Sequence, residues 1–184
     1  AKTVLTAVSV PAFMAADMYS RRFFNDVFFR RYKGESEDRL RYLSEDLFKE
    51  VICRSIFPGA YELIAKSKQL GLRQVLVTGA IDFTVLPLIK HLGFDDYVCN
   101  RLEFVDGLCT GRLKPPVMAA ATKASWIRVY AEREGLSLSD SYAYSDSMSD
   151  LPMLSVVGHP AAVNPDFRLR STAQQHDWPI LDLR

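Results

Sequence analysis

Tyr142-Ala143-Tyr144-Ser145-Asp146-Ser147-Met148-Ser149-Asp150-Leu151-Pro152-Met153-Leu154 is the stretch on which the reading of the fold turns. A short run with β-favouring tyrosines stops at Asp-Ser, a second acid follows four residues later, and an apolar segment opens around Pro152. Proline is tolerated in the first turn of a helix, where its missing N–H costs nothing. If Tyr142 to Tyr144 form a buried strand, Asp146 stands at its carboxyl end and Asp150 opens the next helix. Open α/β sheets bind their ligands at that edge. Two carboxylates there are hard oxygen donors of the kind that suit Mg2+. The plainer alternative is that Ser147, Ser149 and Asp150 only cap a helix.

The surrounding sequence alternates in the way a parallel sheet requires. Gln74 to Val77 is a short β-branched run closed by Thr78-Gly79-Ala80, and a helix is expected from about Asp82 to Leu92. Tyr97 to Cys99 reads as the next strand. Leu102 to Val105 and Leu108 to Thr110 flank Asp106-Gly107, a hairpin turn in which both central residues take positive φ. A helix is expected from about Ala119 to Glu134, with Trp126, Ile127 and Tyr130 on its buried face. Ala161 to Val163 and a helix from Pro165 to Gln175 follow the Asp146 strand. Strands alternating with helices of this length predict a Rossmann-like α/β fold, a parallel sheet with helices on both faces.

The amino-terminal part has a different style. Residues 1–56 read as a small helical cap and residues 57–184 as the α/β core. Phe24, Val27, Phe28 and Tyr32 fall on one stripe of a helix, and Leu40, Leu43, Leu47 and Val51 on another that starts at Ser36. Arg21, Arg30 and Arg31 lie elsewhere around the first helix, as a solvated face or as a contact for an anionic substrate.

The 184 residues, 48% hydrophobic and 24% charged, are enough for one domain with a sizeable core and an appendage. A formal net charge of +1 argues against a nucleic-acid surface. No apolar run is long enough to span a bilayer, and Val4 to Met14 lacks the basic leader of a signal peptide. Cys53, Cys99 and Cys109 are odd in number and form no Cys-x-x-Cys pair, which fits inert thiols in the cytoplasm or another reducing compartment. The sequence opens on Ala1 inside a helical pattern, and a processed or partial chain is expected.

Three strand ends or helix starts carry groups that suit one phosphate. Thr78 offers a hydroxyl, and the amides of Gly79 and Ala80 lie in a turn running into a helix, where N–H groups favour an anion. Lys123 offers a positive charge near a helix start, with Lys114 as a competitor for that role. Asp146 and Asp150 offer the metal. Singly, Thr78 could cap a helix and Lys123 could be a surface lysine; their order along an α/β chain joins them.

Thr78 after an apolar strand, Lys123 near a helix start and Ser145-Asp146-Ser147-x-x-Asp150 resemble the second, third and fourth motifs of the haloacid dehalogenase-like hydrolases. Asn100 to Gly111 and Gly158 to Leu181 read like the subfamily that includes phosphoserine phosphatase. The resemblance covers roughly residues 57 to 183. It implies Mg2+-assisted hydrolysis of a small phosphorylated substrate through an aspartyl phosphate. Thr78 becomes a phosphate donor and Lys123 the cation offsetting charge on nucleophile and phosphate. Asp146 becomes a metal ligand, and Asp150 a ligand or an anchor behind the ligands. The family's first motif, Asp-x-Asp-x-Thr, supplies the nucleophile from the central strand, and no Asp-x-Asp precedes Thr78 here. Ser145 stands where Gly is usual. The expectation is therefore an enzyme whose nucleophile-bearing strand comes from upstream or from another chain, the 184 residues alone being inactive. The rivals are a catalytically silent assembly module and a regulatory domain fused to a second enzyme.

Overall fold

The computed structural model describes residues 28–184. Phe24, Val27, Arg21 and the Val4 to Met14 run lie outside the described residues. A single tight turn at Arg30–Tyr32 ends at Gly34, whose φ of +85° an L side chain would resist. Residues 34–36 then run antiparallel beside a hairpin strand: the Cys109 amide donates to the Glu35 carbonyl, and the Gly34 amide to the Cys109 carbonyl. Helix α1 (Glu37–Leu47) begins where the Ser36 hydroxyl accepts from the Arg39 amide, with Glu37 and Asp38 in its first turn. A wider helical turn at Phe48–Ile52 and a last turn at Cys53–Ser55 complete this part.

Here the sequence expectation needs correction. Only Leu40 of the second stripe is buried; Leu43, Leu47 and Val51 are 45%, 40% and 52% exposed. The buried line is Leu40–Ser44, one helical step round from the expected one, because α1 packs on α3 with that edge. Of the first stripe, Phe28 and Tyr32 are only partly buried; they pack against Phe29, which lies off that stripe and is the buried aromatic.

The core alternates as expected. It comprises α2 (Pro58–Gln69), β1 (Val75–Ile81), α3 (Asp82–Leu92), β2 (Asp96–Asn100), β3 (Leu102–Val105), β4 (Leu108–Leu113) and α4 (Ala121–Glu134). It continues with β5 (Tyr142–Ser145), α5 (Leu151–Leu154), β6 (His159–Val163), α6 (Phe167–Gln175) and β7 (Ile180–Leu181). Pro58 sits in the first turn of α2, and left-handed Gly93 and Gly135 end α3 and α4. β3 and β4 form the expected hairpin, with Asp106 and Gly107 both at positive φ. β1–β2 and β5–β6–β7 are parallel, flanked by helices, so the fold is α/β.

Two details depart from the sequence reading. β1 does not stop at Val77 but continues through Thr78-Gly79-Ala80 to Ile81. Residues 77 to 81 of β1 span only 98 to 100 of β2, so Thr78 to Ala80 bulge out of register. Such a bulge re-aims side chains at the end of a strand. In β5 the buried residues are Ala143 and Ser145, whereas Tyr142 is 51% exposed and stacks on His159, its partner in β6. The helix expected from Pro152 is four residues long, because β6 must start at His159. Gly158 allows this: a Cβ there would lie 1.8 Å from the Ser139 carbonyl oxygen.

Among the described residues the parallel strands fall into two pieces, β1–β2 and β5–β6–β7, with no hydrogen bond joining them. Between the pieces lies a cleft of about 570 Å3. Val75, Leu76 and Val77 of β1 form one wall and Tyr142, Ala143 and Tyr144 of β5 the other. Leu63 and Ile64 of α2 and Ile127 and Tyr130 of α4 line it as well.

Candidate active site

The carboxyl ends of β1 and β5 and the start of α4 open on one cavity of about 910 Å3. Thr78, Gly79, Ala80, Lys123, Asp146 and Asp150 all line it, whereas Lys114, Arg30 and Arg31 do not and Arg21 lies outside the described residues. Phe28, Phe29 and Tyr32, with Leu47 of α1, cover it from the amino-terminal side.

The β1 side is built on the bulge. The Thr78 hydroxyl accepts from the Ala80 amide at 3.1 Å, so that amide turns back on Thr78 and does not face an incoming anion. The hydroxyl keeps its own proton to donate. Gly79 and Ala80 lie within β1 and not in a turn, while α3 starts at Asp82 as expected. Asn100, 1% exposed, holds the bulge in place. Its amide nitrogen donates to the Gly79 carbonyl and its oxygen accepts from the Met118 amide, both at 2.7 Å. Gly79 cannot be larger without movement, because a Cβ would lie 3.0 Å from the Met118 carbonyl oxygen. Behind the bulge, burial and then the Asp82 charge push the Cys99 thiol up to about 11, which keeps it an unreactive thiol at neutral pH.

On the other side, Lys123 leaves the first turn of α4 with 9% of its surface exposed. Its Nζ lies 2.6 Å from Asp150 Oδ1, and the second Asp150 oxygen accepts from the Ser145 hydroxyl at 2.9 Å. The Ser147 amide in turn donates to the Ser145 hydroxyl at 3.3 Å. The serine at this position thus ties Asp150 to the end of β5, something a glycine could not do. Asp146 is exposed, and its carboxylate has no side-chain partner among the described residues.

Asp166 is a residue the sequence reading left without a role. Its two oxygens accept from the Met148 and Leu169 amides at 2.8 Å, and its own amide donates to the Asp146 carbonyl at 2.8 Å. It caps α6 and clamps the acidic loop in one stroke. The sequence signal was there: Asp after Pro165, one residue before a helix.

Among the described residues no three His, Cys, Asp or Glu side chains gather around one point. Asp146 offers an open hard-oxygen ligand, while both Asp150 oxygens are engaged by Lys123 and Ser145. The residues fit Mg2+, which binds through one or two carboxylates and otherwise keeps water or substrate oxygens. In this arrangement Asp146 would touch the ion and Asp150 would stand behind it. No described helix is long and apolar enough to cross a membrane.

A fold of parallel strands with this crevice, and a Thr–Lys–Asp set at its edge, define the class. The chain belongs to the haloacid dehalogenase-like hydrolases, whose family model matches residues 3–155, and within them to the phosphoserine phosphatase-like group. It is 38% identical over 152 residues to phosphoserine phosphatase SerB1 of Mycobacterium tuberculosis, covering 83% of this chain and 49% of that protein. The chain spans about half the length of the curated relatives it matches. A solved protein of unknown function from Bordetella pertussis superposes with a TM-score of 0.84 at 26% identity, covering 95% of this chain and 81% of that one. A substrate-bound phosphoserine phosphatase superposes with a TM-score of 0.67 at 25% identity, over 85% of this chain and 70% of that one.

Proposed function

We propose that the protein is an Mg2+-dependent phosphomonoester hydrolase working through an aspartyl phosphate, with its nucleophile on a strand that enters the cleft between β1 and β5. The observation that carries this reading is the pairing of that cleft with the adjoining cavity. Val77 of β1 and Tyr144 of β5 both line the cleft, while Thr78, one position further on, and Asp146, two positions further on, line the cavity itself. A strand laid in the cleft would pair with both pieces and deliver its carboxyl end between Thr78 and Asp146. Among the described residues no strand pairs with the facing edges of β1 and β5, and such edges favour a partner. The incoming strand belongs to sequence upstream of residue 1 or to another chain. Residues 1–56 would act as the cap and residues 57–184 as the core, in the cytoplasm or another reducing compartment.

In this mechanism an Asp carboxylate oxygen forms a bond to phosphorus as the ester P–O bond breaks. The leaving oxygen takes a proton from the second acid of the incoming strand. Water then attacks phosphorus, giving that acid a proton and releasing inorganic phosphate and the free carboxylate. Thr78 donates to a phosphate oxygen, and Lys123, held by Asp150, offsets charge on nucleophile and phosphate. Asp146 would hold Mg2+, which neutralises charge on the transferring oxygens when bound.

The full-length natural protein is expected to hydrolyse phosphomonoesters with Mg2+, and Thr78→Ala or Asp146→Asn to lower turnover by about 100-fold or more. Absence of hydrolysis with any divalent cation would overturn the reading. It would favour a silent assembly module instead, which the lack of Asp-x-Asp before Thr78 also suits. For the 184 residues alone no turnover is expected. Supplying an upstream strand bearing Asp-x-Asp-x-Thr should create it, and changing the first Asp to Asn should remove it.

A further inference from the structure

Asn164 follows Val163, the last residue of β6, and its amide still donates to the Leu181 carbonyl at 2.9 Å. A regular parallel ladder would next take the Leu183 amide onto the Asn164 backbone carbonyl. That amide donates instead to Asn164 Oδ1 at 3.1 Å. The side chain stands in for the ladder acceptor, and the backbone leaves the sheet at this residue with φ +42°. Asn takes such a left-handed conformation more readily than most residues that carry a Cβ.

The departure from β6 carries Pro165 and Asp166 to the loop after β5. There the Asp166 amide donates to the Asp146 carbonyl and Asp166 Oδ2 accepts from the Met148 amide, both at 2.8 Å. The backbone from Asp146 to Met148 is thus held by the segment that Asn164 turns toward it. Asn164, Pro165 and Asp166 line the same cavity as Asp146. The other end of the brace is fixed as well. The Leu183 carbonyl accepts from the Gly59 amide at 3.2 Å, in the first turn of α2. A Cβ on Gly59 would lie 2.9 Å from Leu183 Cα, so the two backbones are in close contact.

We infer that Asn164 is a positioning residue for Asp146, acting through Asp166 and anchored by the Leu183 amide. The inference rests on the phosphatase reading, in which Asp146 holds Mg2+, and adds to it a residue outside the acidic loop. The position makes two demands: a backbone that accepts positive φ, and a short side chain with an acceptor oxygen. Asp meets both, Gly meets only the first, and Ala meets neither.

The test compares the full-length natural protein with Asn164→Ala, Asn164→Gly and Asn164→Asp. It reads calorimetric Mg2+ affinity, and hydrogen exchange of the Met148 and Asp166 amides without metal. Asn164→Ala should weaken Mg2+ binding about 10-fold or more, the scale on which groups that orient a metal ligand act, and should speed exchange of both amides. Asn164→Asp should keep both properties, and Asn164→Gly should fall between. Leu183→Pro, which removes the donating amide, should weaken Mg2+ on its own and add little to Asn164→Ala, because both changes break one bond. Should Asn164→Ala not fold, Asn164→Gly and Leu183→Pro carry the same comparison. Unchanged Mg2+ affinity in Asn164→Ala overturns the inference while leaving the phosphatase reading standing. An Asn164→Asp variant as weak as Asn164→Ala also overturns it, since a carboxylate supplies the same turn and acceptor. Absence of Mg2+ binding to the natural protein overturns the metal-dependent reading instead. Hydrogen exchange then decides, and unchanged exchange in Asn164→Ala overturns the positioning role.

Discussion

At the end of β1 the Thr78-Gly79-Ala80 bulge is pinned by a single neutral amide, Asn100. At the end of β5 the loop is pinned by charge: Lys123 on Asp150, Ser145 on the same carboxylate, and Asp166 on two backbone amides. The two sides meet the same cavity but face different demands. Beside a bound phosphate, a neutral anchor holds the backbone without adding negative charge. On the proposed function the acids stand beside a cation and a nucleophile, and the buried Lys123 holds Asp150 in place. Asp146 is exposed, lines the cavity and has no side-chain partner among the described residues. The apolar surroundings differ too. The β1 side packs on Phe29, Leu40, Ile81, Phe83, Leu102 and Cys109, and the β5 side on small residues such as Ala143, Ala162 and Ala173 around Leu154 and Leu169.

The largest effect is expected on the charged side. Lys123→Met leaves Asp150 as an uncompensated carboxylate in a pair whose side chains are 11% and 14% exposed. Removing one partner of a buried pair costs roughly 3 kcal/mol or more, and urea unfolding should show a loss of that size. The double variant Lys123→Met with Asp150→Leu should recover a good part of it. A single variant as stable as the natural protein would show that the pair is not what holds the β5 side.

A smaller loss is expected on the neutral side. Asn100→Ala strands the Gly79 carbonyl and the Met118 amide, each bonded at 2.7 Å to the side chain. About 2 kcal/mol is expected, together with faster hydrogen exchange confined to residues near 79 and 118. Exchange spreading to the β5 loop would erase the distinction between the two sides.

The smallest stability effect is expected at Asp146, whose carboxylate has no hydrogen bond or ion pair among the described residues to lose. Asp146→Asn should shift stability by no more than about 0.5 kcal/mol while weakening Mg2+ affinity in a calorimetric titration. Unchanged affinity would remove Asp146 from the metal site.

The sequence by itself determined a good deal. The alternation of short β-branched runs with helical stretches pointed to an α/β fold, since that pattern buries its apolar faces only with a parallel sheet between helices. Asp106-Gly107 determined the hairpin, because few dipeptides take two positive φ values at low cost. The convergence of Thr78, Lys123 and Asp146 followed from order along the chain, as parallel strands carry their carboxyl ends to one edge. Tertiary structure decided the rest. The β1 bulge exists because β2 answers five residues with three, and nothing local to Thr78 records the length of β2. Asn100 reaches partners 21 and 18 residues away, and Ser145 becomes an anchor only once α4 has brought Lys123 to Asp150. The exposure of Leu43, Leu47 and Val51 was set by which edge of α1 met α3. Periodicity shows that a helix has an apolar side, but the neighbour that packs on it chooses the strip that is buried.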